Sequence, residues 1–447
     1  MPDAYIGFGN KIILAKERMF CYCIVIKEGD EVARILHIDA NSAYLSWTAV
    51  AMLEIGYPID IREIPAVIAG NPENRHGIIL AKSISTKKFG IATGQSLFEA
   101  RQKCPDLKVF PPRYDLYMTC SNAMYEILKE YSSKVERYSV DECFLDYTES
   151  VSKFGDPVDV AYRIKDRIKK ELGFTVNIGV SSNKLLAKMG SELKKPDRVH
   201  TLWPEEMQGK MWPLPVGELF MVGRATAQKL RQININTIGD LAMTDPNHMK
   251  ALLKSQGQLV WNYANGIDSS QVIPNSQIMQ KGIGNSTTTA YDLTQRQEAY
   301  MVILALTERT ATKLRKLGNM TSRVSLSIKT NNFVSYSHQV QLQNCINTTS
   351  EIYKYACLLF DECWKGEPIR HIGVSVFDFS SSDMEQLSIF DKENKEKMQS
   401  LDKTVDIIRS RYGEEAIKRG VFVNGDTKPM QGGTNDGDYI VMGGYGL

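Results

Sequence analysis

No run among the 447 residues is apolar for long enough to cross a membrane. The patch Met19-Phe20-Cys21-Tyr22-Cys23-Ile24-Val25-Ile26 is too brief. Lys27-Glu28-Gly29-Asp30 follows it without a small-residue cleavage site, so it is not read as a secretory signal. An excess of one charge is also lacking. The net charge is only +2, so any affinity for nucleic acid must come from local basic faces. The eight cysteines show no metal-ligand spacing, and Cys21 and Cys23 stand too close for a standard zinc pair. Reduced thiols and a cytoplasmic setting are the default expectation. What is present is ordinary for a globular protein, 43% hydrophobic and 24% charged residues. At this length a single core is too large, so several domains are expected.

The chemistry concentrates in Tyr138-Ser139-Val140-Asp141-Glu142-Cys143-Phe144-Leu145-Asp146, where two adjacent acids interrupt a β-prone run. Strand neighbours point to opposite faces, but at a strand end both can reach one cleft. Like charges this close are costly unless a cation offsets them. A second apolar strand, Arg34 to Ile38, ends in Asp39 and runs on through Ala40, Asn41 and Ser42 to Tyr44. If the two strands pair, Asp39, Asp141 and Glu142 converge, as two divalent cations gripping a triphosphate require. Two plainer readings stay open: a solvent-facing acidic turn, and Asp39 as a helix cap.

These segments resemble the Y-family, or lesion-bypass, DNA polymerases, in the bacterial group of polymerase IV-like and UmuC-like members. The motifs are the apolar strand with Asp39 and Tyr44, the Ser139-x-Asp141-Glu142 signature, and Gly179-Val180-Ser181-Ser182-Asn183-Lys184-Leu185-Leu186-Ala187-Lys188 running on to Lys194-Lys195-Pro196. The resemblance extends from about Val32 to Phe390. It implies an α+β multidomain fold. The palm, with a mixed β-sheet, would hold 32–43 and 107–202. Small fingers would hold 44–106, and a helical helix-hairpin-helix thumb 203–270. A linker over 271–279 would lead to a β-α-β-β-α-β little finger over 280–380. Residues 1–31 fall outside as an N-terminal extension, and 381–447 form a C-terminal tail.

The resemblance also implies roles. Asp39, Asp141 and Glu142, with the carbonyl of Ala40, would hold two magnesium ions. Tyr44 would lie under the nucleotide sugar and clash with a 2′-hydroxyl. Lys87, where the family carries arginine, and Lys195 would contact the triphosphate of the incoming dNTP. Ile84 replaces the family's tyrosine, so one triphosphate hydrogen bond is missing. Val222-Gly223-Arg224, read as a hairpin between two helices, would aim backbone N–H groups at a DNA phosphate. Gln386, Leu387, Ile389 and Phe390 match the short peptide with which bacterial polymerases grip the sliding clamp. The partners would be primer–template DNA, dNTPs and the clamp, with no membrane, and the protein would act as a monomer.

Along the rest of the chain, short strands are expected at Ile59–Ile61, Pro65–Ala69 and Gly77–Ala81. Helices are expected over Tyr114–Ser132, Val158–Leu172, Asn183–Leu193 and Lys403–Tyr412. Hydroxyl and cationic residues on the little-finger strands (Ser286–Thr289, Arg323, Ser325, Ser327, Lys329, Ser337) suit phosphate contacts. The expected activity is template-directed, low-fidelity DNA synthesis past damaged bases, with no segment left for a proofreading exonuclease. The alternatives are a catalytically impaired DNA-binding or scaffold member of the same family, and another two-metal nucleotidyl enzyme such as a cyclase.

Overall fold

The computed structural model describes residues 32–75, 77–381 and 394–423. The extension 1–31 and the clamp-like peptide 386–390 lie outside the described residues. The chain divides into two compact units. Of the described residues, the first holds those up to Asn41 and Cys120–Gln277; the second holds Ser42–Thr119 and those from Ile278 on. No described helix is long and apolar enough to cross a membrane.

The first unit is built on a five-stranded sheet. In chain order its strands are β1 (Ile35–Ala40), β2 (Val135–Arg137), β3 (Glu142–Asp146), β4 (Val176–Ser181) and β5 (Val199–Thr201). Their spatial order is β2-β3-β1-β4-β5. The β4–β5 pair is parallel and the others antiparallel, which gives the mixed sheet expected of the palm. Central β1 is buried along its whole length, so its Ile, Leu and Ile side chains need no polar alternation. Helix α1 (Pro157–Leu172) starts where Asp156 accepts from the Val158 and Asp159 amides, with proline in the first turn. It ends at Gly173, whose φ of 74° suits glycine. Its apolar Val160, Ile164 and Ile168 are buried, as their spacing predicts.

Helix α2 (Lys184–Glu192) is capped by Asn183, which accepts from the Leu186 amide at 2.8 Å. It lies directly on Gly179 of β4. A Cβ there would come within 1.9 Å of the Ala187 carbonyl oxygen. The absent side chain is what lets the helix approach the sheet.

Three local expectations are corrected. Ser139–Asp141 form a bend and the strand begins only at Glu142, because the Ser139 hydroxyl holds the Asp141 carboxylate at 2.5 Å. The first expected helix of the thumb hairpin is a three-residue 3₁₀ turn, Val216–Glu218, ahead of α3 (Arg224–Gln232). The polar run Ser269–Met279 reads as a loose linker, yet it is fastened to the edge of the sheet. Ile273 N–H donates to Glu136 at 2.9 Å, Arg137 N–H donates to Asn275 at 2.7 Å, and Val272 is buried.

In the second unit, residues 42–119 hold helix Ala43–Glu54 and a small sheet of Ala66–Ala69, Ile79–Lys82 and Lys108–Phe110. Ile59–Ile61 is a turn and not a strand. Asp60 accepts from the Arg62 amide at 2.9 Å and also pairs with its guanidinium, a local bond that competes with a ladder.

From Gly282 the β-α-β-β-α-β order appears as expected. It comprises β6 (Gly282–Leu293), α4 (Arg296–Lys316), β7 (Asn319–Thr330), β8 (Ser335–Ile346), α5 (Thr349–Cys363) and β9 (Ile369–Ser381). The antiparallel order is β8-β7-β9-β6. Val324, Leu326 and Ile328 are buried in the core shared with both helices, so Arg323, Ser325, Ser327 and Lys329 take the opposite face. On that face Ser337, Ser327, Gly373 and Ser286 fall in one cross-strand row.

The tail also holds more structure than its composition implies. Helix α6 (Asn394–Tyr412) is longer than the expected Lys403–Tyr412 and is bound to α4 by charge pairs. Arg315 meets Asp402 at 3.2 Å and Asp406 at 2.7 Å, and Asp402 caps the Thr349 amide at 2.7 Å. Glu308, 3% exposed, receives Arg409 at 3.2 Å and Arg419 at 2.7 Å.

Candidate active site

Pairing of β1 with β3 sets Asp39 directly opposite Glu142, so their side chains share one sheet face. The Ala40 amide donates to the Asp141 carbonyl at 2.9 Å, which brings the third acid's backbone to the end of β1. Helix α2 covers the same face and adds a carboxylate that sequence reasoning missed. Asp39, Glu142 and Glu192 each offer an oxygen within 4.8 Å of the others. A trio of hard oxygen donors suits a divalent cation such as magnesium. The Asp141 carboxylate is bound to Ser139 instead and stands outside that trio. Glu192 had one legible signal: it lies four residues after Lys188, on the same helical face.

Two lysines neutralise the trio. Lys188 Nζ lies 2.5 Å from Glu142 Oε2, and Lys195 Nζ lies 2.9 Å from both Asp39 Oδ2 and Glu192 Oε1. His37, fully buried below, has Nδ1 2.8 Å from the Ser191 hydroxyl. That hydroxyl donates its hydrogen to the Lys188 carbonyl at 2.8 Å, so His37 donates through Nδ1–H. Its Nε2 faces Glu142 at 3.4 Å without a hydrogen bond. Burial pulls the His37 imidazole down to about 4, so it is neutral at pH 7.

The acids are pushed apart in their proton affinities. Burial raises Glu142, but the Lys188 ammonium against its Oε2 opposes that and holds the carboxyl low. Burial raises Asp39, and the Lys195 charge opposes it. Burial also raises Asp141, against its hydrogen bond from Ser139. A site whose carboxyls are raised by burial and spared by cations is one that gains from binding a metal.

The remaining candidates sit elsewhere in the chain. In the second unit Tyr44 stacks on Tyr117, with centroids 4.3 Å apart and planes 6° from parallel, while Tyr114 meets it edge-on at 6.3 Å. Lys87 is exposed on the 3₁₀ turn Ile84–Phe89. In the first unit Val222 is buried in the thumb core, and its amide is spent on the Leu219 carbonyl at 3.0 Å. That excludes the Val222 N–H as a phosphate donor. Gly223 and Arg224 are exposed at the start of α3.

Residues 38–192 match the model of the impB/mucB/samB family, and residues 280–389 match that family's C-terminal domain. A DNA polymerase IV of Clostridium acetobutylicum is 47% identical over 394 residues, covering 88% of this chain and 99% of its own. A DNA polymerase IV of Acetivibrio thermocellus is 38% identical over 393 residues, covering 87% of this chain and 97% of its own. Among solved structures, a chimeric Y-family DNA polymerase built from Dbh and Dpo4 superposes with a TM-score of 0.67 at 22% identity. It covers 77% of this chain and 98% of that one, and it speaks for the fold alone.

Proposed function

This chain belongs to the impB/mucB/samB family, the Y-family DNA polymerases of the polymerase IV group, and from that premise we propose that it is a DNA-directed DNA polymerase copying past damaged template bases. The observation that carries the reading is the cross-strand pairing of Asp39 with Glu142 beneath a lysine-lined helix. Two magnesium ions, held by Asp39, Asp141, Glu142 and the Ala40 carbonyl, would supply charge neutralisation and alignment for the phosphoryl transfer. Glu192 lies close enough to join that ligand set.

The protein's own share is positioning. The primer 3′-hydroxyl attacks the α-phosphate of a dNTP in line, and pyrophosphate leaves. Lys195 and Lys87 meet the triphosphate, and lysine at position 87 does so as a point charge without arginine's bidentate fork. Tyr44, five residues beyond Asp39, lies flat against the deoxyribose; its stacking on Tyr117 fixes the ring's tilt. Arg224 and the Gly223 amide touch a duplex phosphate, and the hydroxyl row on the little finger touches others. Fingers confined to 44–106 leave the nascent pair loosely checked, hence low fidelity. The protein works as a monomer in the cytoplasm.

Primer extension with magnesium tests this. On an undamaged template and on one carrying an abasic site, the protein should add deoxynucleotides across the position and reject ribonucleotides. No extension on either template would sink the proposal and favour a catalytically impaired, DNA-binding role.

The peptide Gln386, Leu387, Ile389, Phe390 is the clamp contact, with the glutamine as hydrogen-bonding group and the three apolar side chains as anchors. Deleting 386–390 should remove stimulation by the sliding clamp and spare clamp-free synthesis. Stimulation that survives the deletion would reject the assignment.

A further inference from the structure

Three carboxylates within 4.8 Å of one another are unstable company without cations, and this site carries two cations of unequal freedom. Lys188, on α2, is 8% exposed and lies over the rings of Tyr138 and Phe220 at 5.1 and 5.3 Å. It is built in. Lys195 lies beyond the end of α2, with its side chain 31% exposed. Its ammonium sits 2.9 Å from Asp39 Oδ2 and 2.9 Å from Glu192 Oε1, so it spans two of the three acids. It thereby neutralises Asp39, an acid buried to 6% exposure. A compact ammonium on a flexible four-carbon stem can leave such a pair if another anion receives it.

We propose that Lys195 is the resident counter-ion of the acid trio, and that it must release Asp39 before a divalent cation can be taken up there. The incoming triphosphate is the anion that receives it. The inference rests on the reading of Asp39 as a metal ligand and of Lys195 as a triphosphate contact. The exchange balances in charge: an ammonium leaves the carboxylates as a divalent cation arrives, and the nucleotide's negative charge offsets the sum. Cation loading is therefore weak before nucleotide binds and strengthened by it. The arrangement guards the buried acids when no substrate is present.

The test uses the full chain with Mn²⁺ alone as probe, without DNA or nucleotide. Binding is read from the electron paramagnetic resonance signal of the free ion. Lys195→Met should tighten Mn²⁺ binding about tenfold, the size expected for losing one competing charge contact in a half-desolvated site. Lys195→Arg keeps the charge and should keep the weak binding of the wild type. Adding Asp39→Asn to Lys195→Met should abolish the gain. If Lys195→Met binds no tighter than wild type while Asp39→Asn weakens binding, the counter-ion role is overturned and the metal site stands. If Asp39→Asn leaves Mn²⁺ binding unchanged in both backgrounds, the metal-site reading beneath the inference is overturned as well.

Discussion

Asp39→Asn and Glu142→Gln are each expected to cut primer extension by at least about a thousandfold, with affinity for primer–template largely unchanged. The two residues are register partners on adjacent strands, so neither can be replaced by a neighbour without slipping the sheet. Each substitution keeps shape and removes one negative charge from the position where cations must be gripped. The fold survives in both, for different reasons. Asn at 39 retains an acceptor for Lys195, and Gln at 142 retains one for Lys188. Loss in the single-turnover rate, with duplex binding intact by fluorescence anisotropy, is the predicted signature. Extension within tenfold of the wild type by either variant would mean that the chemistry lies elsewhere.

Gly179→Ala should unfold the first unit more readily by about 3 kcal/mol, at the upper end for forcing one methyl into a packed core. The new Cβ would stand 1.9 Å from the Ala187 carbonyl oxygen and 2.5 Å from the Ser191 amide nitrogen. Both are backbone atoms, so no rotamer change can make room, and α2 must lift from the sheet. Lys188, Ser191 and Glu192 ride on that helix, so extension should fall together with stability. Gly190→Ala is the control. Its Cβ would approach nothing nearer than 3.4 Å, and its effect should be much smaller. Urea unfolding of the two variants side by side decides it; equal midpoints would show that the helix can yield without cost.

Much of the site is legible in the sequence. Strands ending in acids, and a serine two residues before an Asp-Glu pair, are short-range patterns. That Asp39, Asp141 and Glu142 converge if the two strands pair was legible from them; the register that sets Asp39 opposite Glu142 belongs to the structure. The β-α-β-β-α-β order was legible for the same reason: long alternating strands and long amphipathic helices leave little choice of period. What escaped were consequences of tertiary approach. Glu192 looks like an ordinary surface residue of a helix until Gly179 lets that helix sit down on the sheet. Asp141 is drawn off by Ser139, a side-chain bond that no periodicity announces. Val222 reads as part of a hairpin tip, yet it turns inward and spends its amide on Leu219. The run after Ser269 is polar enough for a linker, and only the placement of Glu136 and Asn275 shows what its amides and side chains are for.

The docking of α6 changes what truncation means for this protein. A stop codon after Phe390 would not trim a dispensable tail. It would strip Arg409 and Arg419 from the buried Glu308, and Asp402 and Asp406 from Arg315, leaving that guanidinium only neutral acceptors such as the Asn347 carbonyl. The strand that ends at Ser381 and the helix that begins at Asn394 therefore both belong to the little finger's own structure.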